Sequence, residues 1–461
     1  MYPFWSSIPG IAVCASPGGD IPVRLSRREL EVAGLVAQGL TNREIAQRLF
    51  ISERTIDGHL EHVREKLGVN TRAQVATWVV RHEAVEITTA PPESISGPAP
   101  RRNLIAHPRV WVATALLLAL LASGVGLLRL TAPPAPVIKT IAGVTSADSF
   151  PGGGYKGDND FATNAELSWP SDLAVGPDGA IYIADFGNRV VRKISNQIIT
   201  TVAGGGSRAP YGGAVATQVS IGYASNLAVD SRGDLYVLTD LAGDLEVWMI
   251  APDSLMTFVV SLGHSSGRYM QPHWNSPVGG LALATDGTLY IADRAENKVW
   301  TLAPGAKTMS LFAGTGQAGS SGDLGPATSA QLDWPTGLAL GQHGDLYIAD
   351  TQNNRIRKVD GLRGTITSIA GGANLSVPFG VAFRSDGTLF IADSGHNQIL
   401  EMLPSGDILA VAGNGADGYL GDGGPASEAK LSGPNAIALD RTGRLLVADS
   451  GNHRVRVVTG L

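Results

Sequence analysis

Cysteine is almost absent: Cys14 is the only one in 461 residues. No internal disulfide can form and no cysteine-based metal cluster can be built, so any domain facing an oxidising compartment must rest on a large core alone. Charged side chains are also scarce, at 16%, and aromatics stand at 6%. So few charges exclude a solvated, self-repelling disordered chain. Histidine is thin in the back half, where His264, His273, His343, His396 and His453 are scattered with no ligand spacing among them. His59 and His62 are three apart on a solvent-facing stretch with no further ligand nearby. The chain therefore reads as having no resident metal, no cofactor and no catalytic cluster. The first twenty residues lack a basic start, and Pro9 and Gly10 interrupt their short apolar stretch, so they are not read as a signal peptide.

Glycine, by contrast, is abundant at 58 residues, and the length calls for two or three domains. High glycine with few charges points to a turn-rich all-β part. The net charge of −6 hides an asymmetry: residues 1–130 carry 14 Lys+Arg against 11 Asp+Glu, and the remainder 21 against 30. Only the front is weakly suited to a polyanion.

From Val110 to Leu128 the chain reads VWVATALLLALLASGVGLL, 19 residues without a charge. At about 1.5 Å per residue such a helix spans the hydrocarbon of a bilayer, and it has no polar face to present to water. Arg101, Arg102 and Arg109 precede it, while only Arg129 and Lys139 follow closely. The positive-inside bias then places the N-terminal part in the cytoplasm and the C-terminal part outside, in a single pass. Pro91, Pro92, Pro98, Pro100 and Pro108 make the stretch before it an extended, flexible spacer. The expected divisions are an N-terminal extension (1–22), a helical domain (23–84), a Pro-rich linker (85–109), a transmembrane helix (110–130), a short linker (131–137) and a β-repeat domain (138–461).

Residues 25–82 read as four short helices. Ser26 with Glu29 and Thr41 with Glu44 form capping boxes, and Ser52 and Thr71 cap the third and fourth helices. Ile56, Leu60, Val63 and Leu67 recur at helical spacing before Gly68 stops the third. Two helices joined at Phe50-Ile51 make a helix-turn-helix pattern. The stretch LSRRELEVAGLVAQGLTNREIAQRLFISERTIDGHLEHVREKLGVNTRAQ resembles the LuxR/GerE family of bacterial transcription factors over its whole module. The resemblance implies that helix 52–67 enters a major groove, with Asp57, Gly58 and Glu61 at the base-reading positions. It places Thr41, Asn42, Arg43, Arg54, Thr55 and Lys66 at phosphate-contact positions and makes the last helix a homodimer face. Family members often carry Lys where Asp57 and Glu61 stand here. A carboxylate accepts from cytosine but cannot donate to guanine, and it is repelled by phosphate. An unusual site preference and weak nonspecific binding are expected.

The back half repeats one phrase six times: SDLAVGPDGAIYIADFGNRVVRKI, SNLAVDSRGDLYVLTDLAGDLEVWMI, GGLALATDGTLYIADRAENKVWTL, TGLALGQHGDLYIADTQNNRIRKV, FGVAFRSDGTLFIADSGHNQILEM and NAIALDRTGRLLVADSGNHRVRVV, at 43 to 57 residue steps. Each phrase supplies three short strands broken by turns such as Asp178-Gly179, Asp286-Gly287 and Asp386-Gly387, and a fourth follows, as in IITTVAG at 198–204. That is the sequence of a six-bladed β-propeller. The pattern YIAD followed by Asn-Arg resembles the NHL repeat family. Blade two departs, with Thr239 at the Asp position. The sixth phrase lacks a fourth strand, and VIKTIAG at Val137 to Gly143 can supply it and close the ring. The fold class is thus multidomain: an all-α four-helix helix-turn-helix domain, one transmembrane helix and an all-β six-bladed NHL-type propeller.

The recurring Asp residues, with Asn188, Asn353 and Asn452, read as turn scaffolding, because repetition in nearly every blade is unlike an asymmetric active site. The loops GDNDFATNAEL (157–167), GDLGPATSAQL (322–332) and GDGGPASEAKL (421–431) share one expected face with those turns, the default ligand surface. Trp248, His264, Tyr269, His273 and Trp274 would suit sugar or peptide contact, or else pack blade edges. These expectations combine into a non-enzymatic, single-pass regulator of a bacterial inner membrane. Its partners would be promoter DNA at an inverted repeat, the membrane, a second copy of itself and an outside ligand (peptide, sugar or wall fragment). A binding or adhesion propeller on a cytoplasmic anchor that does not bind DNA, and a propeller enzyme of the lyase or lactonase kind that some NHL-like proteins represent, are the alternatives.

Overall fold

A computed structural model of the chain describes residues 135–144, 153–241, 243–264 and 279–461, the short strands 12–14 and 23–25, and individual positions between 32 and 75. The expected membrane span (110–130) and the linkers on either side of it, apart from 135–137, lie outside the described residues. Among the described residues no helix is long and apolar enough to cross a membrane. The chain divides into two compact units, Met1–Leu116 and Leu117–Leu461.

In the first unit, Ala12–Cys14 and Val23–Leu25 pair antiparallel, Ala12 opposite Leu25. Sequence reading assigned no element to residues 1–22. The helical positions bury Val32, Ala33, Leu35, Val36, Ile45, Ala46, Ile56, Leu60, Val63 and Val75 in one apolar cluster. These are the inward positions that the helical periodicity selects.

The second unit is a ring of six antiparallel sheets. Blade one runs Pro170–Val175, Ile181–Asp185, Val190–Ser195 and Ile198–Gly204 from the axis outwards. The innermost strands of the other blades are Tyr223–Val229, Gly279–Leu283, Pro335–Leu340, Pro378–Phe383 and Pro434–Leu439. Each innermost strand touches the next, and the sixth touches the first. Blade six is completed by Val137–Ala142, which pairs with Arg454–Thr459 in a ladder that sets Val458 opposite Ile138. Both ends of the β-domain are thereby tied into one sheet. Turn chemistry repeats with the strands: Asp178, Asp286 and Asp386 accept the N–H two residues on, at 2.9 to 3.0 Å. In blade two, where Thr239 replaces the aspartate, the ladder simply continues to Leu241 opposite Asp244. Asp240, one residue on, caps this turn by accepting the Gly243 N–H at 2.9 Å.

Three arginines hold the blades to their loops. Arg192, Arg357 and Arg456 have fully buried side chains. Each faces the strand-end aspartate of its own blade, Asp185 at 3.6 Å, Asp350 at 3.5 Å and Asp449 at 3.6 Å. Each also reaches a loop carboxylate: Asp158 at 2.8 Å, Asp323 at 2.8 Å and Asp422 at 2.7 Å. The strand-end carboxylates accept further hydrogen bonds, from the backbone N–H of Ser168, Asp333 and Ser432 and from Asn188, Asn353 and Asn452. A buried charge is tolerable only when paired and bonded in this way. Burial still dominates, pushing Asp185 up to about 7 and Asp350 and Asp449 up to about 6, against the pull of those hydrogen bonds and the arginines.

Two outcomes follow. Arg357→Met strands two carboxylates and should cost about 3–5 kcal/mol in urea unfolding at pH 8. Because the folded-state value of Asp350 is raised above its unfolded one, protonation favours the folded state. The stability tied to that proton is full below about pH 4 and is lost as pH rises through about 6. The variant's deficit should therefore shrink at pH 5.5, and an unchanged deficit would show that the carboxylate does not titrate there. Ile138, fully buried in the closing strand, should cost roughly 2–5 kcal/mol on replacement by Ala. A loss below 1 kcal/mol would mean that this strand contributes little to closure.

Candidate functional site

The helical unit shows how its expected DNA-contact residues are positioned. A helix begins at Thr41, whose carbonyl accepts the Ile45 N–H at 2.9 Å. Thr41 is exposed and Asn42 half-buried at this helix start, the end of a helix whose dipole favours an anion. The next helical stretch packs Ile56, Leu60 and Val63 inwards while Glu61 and Lys66 are exposed. Its end is closed by the Val69 N–H on the Arg64 carbonyl at 2.9 Å, a six-to-one bond that brackets Gly68 in the sequence. The Arg64 side chain turns back to the Leu60 carbonyl at 3.2 Å. Thus Thr41, Asn42, Glu61 and Lys66 are placed, and Arg43, Arg54, Thr55, Asp57 and Gly58 lie outside the described residues.

The propeller loops expected as a ligand surface also have a structural role. In loops 157–167, 322–332 and 421–431 the acidic residues Asp158, Asp323 and Asp422 are the second partners of the buried arginines. Their apolar residues (Ala162, Ala165 and Leu167; Ala327, Ala330 and Leu332; Ala426, Ala429 and Leu431) are buried in the cores between blades. The loops also cover strand edges: Asn159 N–H bonds the Ile199 carbonyl and Leu324 N–H the Ile366 carbonyl, each at 2.8 Å. They read as variable loops because the Asp and the Arg it serves are 34 residues apart in sequence.

Of the expected aromatic stretch, Trp248 is buried against Phe258, ring centroids 5.2 Å apart, and its indole N–H donates to Glu246 at 2.8 Å. It is core. His264 ends its strand, and Tyr269, His273 and Trp274 lie outside the described residues. The strand-end Asp and Asn residues are structural, as their repetition implied. In blade five His396 takes the Asn place, 2.8 Å from Asp393, while Leu400 stands where three other blades have arginine. His453 accepts the Trp169 N–H at 3.1 Å across the blade six to blade one junction. Among the described residues no group of three or more His, Cys, Asp or Glu side chains could hold a metal ion.

What sequence reading missed is the axis. The innermost strands enclose a channel cavity of about 230 Å³. At one register position blades three, four and five present Gly280, Gly337 and Gly380, where a Cβ would collide with the Thr336 carbonyl, the Phe379 carbonyl and the Ala436 backbone of the next blade. Blade six has Ala436 there, but blades one and two have Asp172 and Asn226. The Asp172 carboxylate fills the gap and accepts the Leu227 N–H at 2.7 Å. Burial pushes its carboxyl up to about 7, against hydrogen bonds from the Leu227 and Leu173 backbone and from Asn226. Comparing the six phrases column by column for the least repeated polar residues would have singled out this pair.

Comparison with known proteins agrees with both halves. Residues 23–79 match the model of bacterial regulatory proteins of the luxR family. Residues 135–195 match the Teneurin NHL domain, and 332–359 and 431–458 match the NHL repeat. The oxygen regulatory protein NreC of Staphylococcus aureus is 37% identical over 62 residues, 13% of this chain and 29% of that protein. Human Teneurin-1 is 27% identical over 368 residues, 70% of this chain and 13% of that protein. The chain thus spans less than a third of either relative. A Bacteroides thetaiotaomicron protein of unknown function and an auxiliary nutrient binding protein of the same organism share the fold. Their TM-scores are 0.52 and 0.51 at 17% and 14% identity, and each match covers 70% of this chain and 76% of the other. The chain is a fusion of a LuxR/GerE-type helix-turn-helix domain with an NHL-repeat β-propeller.

Proposed function

We propose that the protein is a membrane-anchored one-component transcriptional regulator. A cytoplasmic homodimer of the helix-turn-helix domain binds promoter DNA, and the propeller, outside the inner membrane, senses a peptide, sugar or wall fragment. The observation that carries this reading is the union of the two domains in one chain across a 19-residue uncharged run. A DNA-binding domain needs the cytoplasm, and that run is of membrane-spanning length. The flexible Pro-rich segment suits coupling by dimer proximity, which raises the local concentration of two half-site readers. The reading is non-enzymatic, and it rests on the LuxR-type domain.

The test is genome-wide crosslinking of the full-length protein in its host against a Thr55→Ala, Lys66→Ala variant. A few sharp sites sharing an inverted repeat, lost in the variant, are expected; none under any envelope stress would sink the transcription reading. In vitro, Lys66→Ala should weaken binding similarly at all sequences and lower the slope of log K against log salt by about 1. Topology has its own readout. A periplasm-dependent reporter fused after residue 135 should be active and one fused after residue 90 silent, and the reverse would overturn the orientation.

A further inference from the structure

The channel breaks the six-fold pattern at one place. Four blades bring small residues to the axis so that neighbouring backbones meet, and blades one and two bring Asp172 and Asn226 instead. A spacer role would explain one polar side chain that bonds its neighbour's backbone, as Asp172 does with the Leu227 N–H. It does not explain Asn226, whose residue is 92% buried at a relative exposure of 8%. Its amide hydrogen-bonds the Asp172 carboxylate, yet its Oδ1 has no partner and it lines the cavity. An unmet buried acceptor costs about 1–3 kcal/mol unless something donates to it.

The residues around the cavity say what that donor carries. Asp172 is the only ionisable residue lining it. The strands packed against Pro170–Val175 contribute as ionisable groups Asp185 and Asp449, each tied to its own arginine, and the tyrosines Tyr182 and Tyr223, the latter accepting from Arg189 at 2.6 Å. The end at blades one and two is thus a carboxylate and a bare amide oxygen with no cation to balance them. The rest of the wall is mixed: Ser171, Thr336 and Asn435 line the same space with Leu227, Leu338 and Phe379. A cavity of about 230 Å³ far exceeds the roughly 10–15 Å³ that one water requires. A single carboxylate without further acid or imidazole ligands is a poor site for a divalent ion and a good one for an N–H cation.

We propose that this end of the channel binds a small organic ammonium ion, its N–H groups donating to Asp172 and to Asn226 Oδ1 and its short body lying in the channel between the innermost strands. As a site it rests on the channel alone; as the input of a sensor it rests on the regulator reading above. Binding would be linked to ionisation of Asp172, whose buried carboxyl sits near 7 and is held charged by the bound cation.

The experiment is calorimetric titration of the full-length protein with n-butylammonium chloride, with n-butanol as the uncharged isostere. Saturable binding at pH 8, roughly tenfold weaker at pH 6, is expected, because about a tenth of the carboxyl is ionised there. Butanol should not bind comparably. Asp172→Asn should abolish the signal, and Asn226→Leu, which keeps the carboxylate, should weaken it by about tenfold. Thermal melts check that both variants are folded, and the Asn226 variant serves if the Asp172 variant is not. No saturable heat at pH 8, equal binding of butanol, or unaltered binding in Asn226→Leu would each overturn the site. DNA binding by the same preparation is measured alongside. Its loss would defeat the regulator reading and leave the channel site standing.

Discussion

The pairing of Val137–Ala142 with Arg454–Thr459 joins residues 322 positions apart and carries the rest of the propeller. A ring of sheets has free edges only if it is left open, and an open edge is a template for pairing with another chain. With one cysteine in the whole chain, covalent closure is ruled out, so hydrogen bonds and burial must do it. Ile138 packs against Ile437 and Val458 of the same blade and Phe390 and Ala426 beyond it. The cost in loop entropy grows only slowly with the length of chain enclosed, which makes so distant a closure affordable.

Within the closed ring the same solution is applied three times. A buried arginine sits between a strand-end aspartate and a loop aspartate, and the loop lies over a strand edge. Where the arginine is missing, other groups substitute: His396 and Gln398 bond Asp393 in blade five, at 2.8 Å each. Where the aspartate is missing, as at Thr239, the ladder lengthens. These exceptions show the repeated carboxylates to be devices of folding. The exception at the axis is of another kind, because Asp172 and Asn226 leave an acceptor unsatisfied.

Much of this architecture was legible before any coordinates. Asp-Gly turns between apolar runs marked the hairpins, and the recurring YIAD phrase marked the blades, because a two-residue period and a turn are local properties. The closing strand could be inferred as well, since the last phrase lacked a partner and the first stretch supplied one. The helical unit was legible for the same reason: Ile56, Leu60 and Val63 fall on one face by spacing alone, and they are buried. The structural role of the loops at 157–167, 322–332 and 421–431 was not legible. Their buried Ala-x-x-Ala-x-Leu pattern is local, but the arginine that each serves is not.

The order of elements, the number of blades, the turn residues and the helix-turn-helix module were therefore determined by sequence, because each depends on neighbours within a few residues. Tertiary structure alone decided which charges are buried together and which polar groups converge on the axis. Asp158 meets Arg192, and Asp172 and Asn226 meet across a blade junction, through tertiary packing rather than spacing. Electrostatic energy depends on distance and burial, and neither is a function of position along the chain.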